Sequence, residues 1–124
     1  MTNKQPLAIV IRIPDVTLSR ADLETALGLP LDRYEQRSDG TSAYAQIQMI
    51  RTNGLLALDC VQSVGDRLQR LVSENLVGSP QMDIAVGFPS SAVMKSLTIP
   101  ARLAAATGES GMEIGISIYS TSDA

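Results

Sequence analysis

The densest concentration of reactive groups lies between Asp32 and Asp39, where Asp32, Glu35 and Asp39 are interleaved with Arg33, Tyr34 and Arg37. Carboxylates so close in sequence could hold a divalent cation through oxygen ligands. The alternating acids of a calcium loop are missing, however, and the two guanidinium groups among the acids favour a solvated, self-paired stretch. The same residue types also suit contact with another protein, since Tyr and Arg each combine a large contact area with a polar end. Asp32, Arg33, Tyr34, Glu35, Arg37 and Asp39 are therefore the candidate partner-binding residues.

Absent residue types exclude most other chemistry. The chain has no histidine, which removes Ser-His-Asp and Cys-His catalysis and nearly every zinc site. Cys60 stands alone, so neither an intramolecular disulfide nor a thiolate cluster can form. Its place beside a helix start would favour a thiolate, yet a lone cysteine between Asp59 and Val61 reads better as a small apolar group. Neither a GxGxxG nor a GxxxxGKS/T phosphate cradle occurs. Ser90-Ser91 has no base to activate it and reads as a turn. The expectation is a protein that is not an enzyme and takes no metal or cofactor.

The elements that position these groups follow from periodicity. Leu7 to Ile13 reads as a strand with Leu7, Ile9, Ile11 and Ile13 on one face, stopped by Pro14. Ser19 caps a helix that carries Leu23, Ala26 and Leu27 on its apolar side and ends at Gly28. Leu31 to Ser42 lacks any apolar period and predicts an exposed loop. Ala43 to Arg51 alternates as a strand, and Asn53-Gly54 predicts a hairpin turn into Leu55 to Leu58. Val61, Val64, Leu68, Leu71 and Val72 define a second helix from Asp59 or Ser63 to about Asn75 or Leu76. Met82 to Phe88 is a further strand, Ile99 to Thr107 a short helix stopped by Gly108, and Met112 to Tyr119 a last strand.

This order predicts an α+β fold of ferredoxin-like, split βαβ type. It would have a mainly antiparallel sheet, helices on one face, and a C-terminal short helix and strand added. The Ile-rich side of every strand is expected under the helices. The other side, which includes Arg12, Gln46, Gln48, Gly115 and Ser117, is small or polar and should be open or lightly covered. Residues 1–124 read as a single domain, with 1–6 and 120–124 as flexible ends. The apolar run at the N-terminus is short and interrupted by Arg12, so neither a signal peptide nor a membrane span is expected, and the cytoplasm is the expected location. A net charge of −3 points away from nucleic acid. Aromatics are scarce on the predicted open face, which argues against base stacking.

Two blocks carry a family resemblance. Ser96-Leu-Thr-Ile-Pro-Ala-Arg-Leu-Ala-Ala-Ala-Thr-Gly108 followed by Met112-Glu-Ile-Gly-Ile-Ser-Ile-Tyr119 resembles the closing block of the bacterial family of domain of unknown function 4279. The opening strand and the capped helix ending Leu27-Gly28-Leu29-Pro30 are similar to that family's opening. Unlike the family, the middle of this chain has no tryptophan. The resemblance implies a compact α+β domain and supplies no catalytic residue. Small acidic proteins of such families suggest immunity or antitoxin proteins that neutralise a bacterial toxin. A non-catalytic protein-binding role, with a toxin domain as its sharpest partner, is thus the leading expectation. A small-molecule-sensing or regulatory domain is the alternative, and the oligomeric state stays open, with a homodimer among the options.

Overall fold

The computed structural model describes residues 7–49, 58–89, 91, 99 and 101–121. Strand β1, Leu7–Val16, buries Ile9, Ile11 and Ile13 and leaves Val10 and Arg12 half-buried on its other side. Pro14 does not stop it. The ladder shifts register between Ile13 and Val16, with Asp15 at a φ of 50°, so a bulge takes in the proline. A residue without an N–H costs little where pairing is already interrupted. Helix α1, Arg20–Leu27, forms as its sequence predicts. The Ser19 side chain accepts the Asp22 N–H at 3.1 Å, and Gly28, at a φ of 78°, donates its N–H to Glu24 O at 2.8 Å.

The predicted exposed loop from Leu31 to Ser42 is corrected by a strand. Residues Arg33–Gln36 form β2, which pairs antiparallel with β3, Ala43–Met49. An edge strand this short, with only Tyr34 turned toward the core, carries too little apolar signal to show in the sequence. The hairpin therefore turns between Gln36 and Ala43. The expected turn at Asn53-Gly54 lies outside the described residues, and Leu58, assigned above to a strand, opens helix α2, Leu58–Ser73.

Asn75 closes α2 at a φ of 59°, with Leu76 N–H bonded to Leu71 O at 2.9 Å. Strand β4, Gln81–Pro89, leads on towards helix α3, Ala101–Glu109, and strand β5, Glu113–Thr121. Gly108 is not the stop of α3. It lies inside the helix, and Gly111 at a φ of 75° makes the left-handed turn, with Met112 N–H on Thr107 O at 3.0 Å. Ser120 and Thr121, read above as part of a flexible end, belong to β5. No helix among the described residues is long and apolar enough to cross a membrane.

The result is an α+β architecture with a five-stranded mixed sheet in the order β2-β3-β1-β4-β5. The pairs β2–β3, β3–β1 and β1–β4 are antiparallel, and β4–β5 is parallel. The sheet is therefore mixed rather than wholly antiparallel. The parallel pair follows from α3, since a parallel neighbour requires a crossover long enough to return the chain to its starting edge. Ile9, Ile11, Ile13, Ile47, Met82 and Ile84 share one core with Leu23 and Leu27 of α1, Val61, Val64 and Leu68 of α2, and Leu103 of α3. All these strand residues lie on one side of the sheet, so the helices cover that side.

One expectation about the core fails at β5. Ile116 and Ile118 sit on the helix side, opposite Ile84 and Val86, yet they are 49% and 69% exposed. Only Ile114 of this strand packs against the core. Alternation encodes which face a residue takes, and the reach of the helices decides whether that face is covered.

Gly65 sets how closely α2 and α3 approach. A Cβ at this position would lie 2.7 Å from Ser110 Cβ and closer still to its hydroxyl, which is buried and bonded to Ala106 O at 2.9 Å. Gly65→Ala gains about 1 kcal/mol of helix propensity against an overpacking cost of about 1–3 kcal/mol. The net expectation is a loss of roughly 1 kcal/mol in urea unfolding. Adding Ser110→Gly should relieve the clash, and a double variant no more stable than Gly65→Ala alone would count against this contact.

Candidate functional site

The side of the sheet away from the helices carries a polar cluster built on its three inner strands. Arg12 of β1 pairs in register with Gln46 of β3, and Val10 lies opposite Asp83 of β4. Period-2 alternation then places Arg12, Tyr44, Gln46 and Asp83 together on this side. The Arg12 guanidinium donates from Nη1 to Tyr44 Oη at 3.0 Å and to Gln46 Oε1 at 3.4 Å, and from Nη2 to Asp83 Oδ2 at 3.2 Å. Tyr44 in turn donates its own O–H to Gln46 Oε1 at 2.9 Å. From β5, Ser117 Oγ donates to the Asp83 carboxylate at 3.0 and 3.1 Å.

Burial and charge are unequal across this cluster. Asp83 is only 8% exposed, whereas the Arg12 side chain is 40% exposed. The hydrogen bonds to Tyr44 and then Asp83 push the Arg12 pKa up from an already high value, so this cation is permanent. Gly115 makes room for the carboxylate: a Cβ there would lie 2.8 Å from Gln81 Nε2 and 3.3 Å from Asp83 Oδ1.

What the cluster offers is a tyrosine and an arginine held in fixed orientations on a rigid sheet. Tethered polar groups of this kind lose little conformational freedom when a partner docks.

The candidate residues of the Asp32–Asp39 stretch are not gathered into one site. Arg33 and Glu35, joined by an ion pair at 2.7 Å, lie opposite Gln46 and Tyr44 and so extend the cluster toward the sheet edge. The Arg33 guanidinium stands 5.8 Å from the centre of the Tyr44 ring, within reach of a cation–π contact. Tyr34 faces the other way, half-buried against the core, and its hydroxyl donates to Leu18 O at 2.8 Å. Asp32 accepts the Gln48 N–H at 2.6 Å, and Arg37 stands 4.0 Å from Asp15. Asp39 accepts the Thr41 N–H and hydroxyl, which hold its carboxyl below the usual aspartate range.

The three acids of this stretch do not converge, and no metal-holding group of acidic or cysteine side chains forms among the described residues. The Cys60 backbone lies within α2, while its side chain falls outside the described residues. Asp83 and Tyr44 are the site residues that the sequence concealed. Asp83 sits between the buried Met82 and Ile84 of β4, and Tyr44 lies on an inner strand flanked by β2 and β1.

In comparisons with known proteins, no family model, curated protein or solved structure matches this chain.

Proposed function

We propose that the chain is a non-catalytic protein-binding domain of ferredoxin-like type, and that it binds through the side of its sheet away from α1, α2 and α3. The observation that carries this reading is the fixed cluster of Arg12, Tyr44 and Gln46, flanked by the Arg33–Glu35 pair. The pairing order β2-β3-β1-β4 supports the ferredoxin-like assignment, with α3 and β5 as an addition at one edge. Tyrosine and arginine dominate many protein interfaces, and here both stand on inner strands rather than on a connecting loop. The net charge of −3 favours a basic partner, and a nuclease-like toxin is the sharpest candidate, with this chain as its immunity protein.

The test begins with affinity capture from the native host, identification of the bound protein by mass spectrometry, and titration of the purified pair. The double variant Arg33→Ala, Tyr44→Ala should weaken binding by at least ~2 kcal/mol while its circular dichroism stays native. Arg37→Ala with Asp39→Ala, away from the cluster, should cost no more than about 0.5 kcal/mol. Equal affinity of parent and sheet-face variant would remove this side from the interface.

A further inference from the structure

The two edges of the sheet are built differently. The edge at β2 is four residues long and carries Arg33 and Glu35, the usual protection against pairing with another chain. At the other edge, β5 runs for nine residues in unbroken register with β4, with no bulge. Between Ile114 and Thr121 it contains neither a charge nor a proline. Among the described residues it has a strand neighbour on one side only. It also carries the exposed large apolar residues of the described chain: Ile116 at 49%, Ile118 at 69% and Tyr119 at 46%. A long, uncharged edge with uncovered apolar side chains is an open template for strand pairing.

We propose that β5 is a homodimerisation edge, where two copies pair antiparallel about a two-fold axis at Ser117 and their sheets become one. The register follows from the strand itself. Paired residues must share a face, and full overlap of Glu113–Thr121 with its copy puts Ser117 opposite Ser117. Ile116 then faces Ile118 of the second copy, so the exposed isoleucines close on one another on the helix side. On the opposite side Tyr119 meets Gly115, a ring beside a position with no side chain. Glu113, the sole charge on the strand, lands opposite Thr121, so no like charges confront each other. This self-complementarity selects a second copy as the occupant, since it satisfies both halves of the interface with one sequence.

Light scattering after gel filtration across a micromolar concentration series tests the proposal. The parent should approach twice its 13.2 kDa chain mass as concentration rises. Ile118→Lys, placed at a largely exposed position, should keep a native circular dichroism spectrum and weaken the dimer at least about tenfold. In a Cys60→Ser background, Ser117→Cys should oxidise to a dimer whose cross-link joins position 117 to position 117 by mass spectrometry. A parent that stays monomeric throughout the series overturns the proposal. So does a dimer that Ile118→Lys leaves unchanged, or one that cannot be cross-linked through position 117.

Discussion

Ile11→Ala is expected to lower the unfolding free energy by about 2–5 kcal/mol, whereas Ile116→Ala should change it by no more than about 0.5 kcal/mol. Both residues belong to the apolar alternation of their strands, and local sequence does not distinguish them. Ile11 lies at the centre of β1, between Ile47 of β3 and Met82 of β4, and is completely buried. Removing its side chain beyond Cβ leaves a cavity that the flanking strands cannot close, because both are held in register on either side. Ile116, half-exposed on β5, gives up contacts mostly with water. Urea unfolding at concentrations low enough to keep the chain monomeric gives the comparison. A loss at Ile116 comparable to that at Ile11 would mean that the edge strand is covered after all.

The second large effect concerns the Arg12–Asp83 pair. Arg12→Met should cost about 2 kcal/mol, below the range for a fully buried ion pair because the Arg12 side chain is 40% exposed. Asp83 is nearly inaccessible, and once Arg12 is gone the Ser117 hydroxyl is the side-chain partner that remains within bonding distance among the described residues. The reverse change, Asp83→Leu, should cost less, since the Arg12 side chain is 40% exposed and can turn its charge to water. Combining the two should recover most of the loss from Arg12→Met, because apolar groups of similar volume remove the desolvation cost along with the attraction. A double-mutant cycle in urea measures the coupling directly. Strict additivity of the two substitutions would show that the pair contributes nothing as a pair.

Some of these features could be read from local sequence. The spacing of Ser19, Leu23, Leu27 and Gly28 specifies α1 with both of its ends, because cap, apolar stripe and left-handed terminator lie within one short stretch. Alternation along Leu7–Ile13 and Met82–Phe88 likewise assigns the faces of β1 and β4, since a strand's side chains repeat every second residue whatever its neighbours are.

What only the tertiary structure decided depends on contacts distant in sequence. Arg33–Gln36 becomes a strand through pairing with β3 rather than through any apolar period of its own. Pro14 stays within β1 because a bulge, stabilised by Gly78 N–H on Pro14 O at 2.8 Å, absorbs it. Tyr34 packs partly buried against the core and donates to Leu18 O, so it fastens β2 to the residue just before the cap of α1. The Arg12–Asp83 pair joins residues 71 positions apart, and only the placement of β1 beside β4 brings them together. At β5 the alternation of isoleucines correctly assigns the helix side, but the helices cover Ile114 and stop short of Ile116 and Ile118. Local sequence carries periodicity and capping, which act within a few residues. Strand order, register and helix reach arise when distant segments meet, and they decide which polar groups pair and which apolar ones remain at the surface.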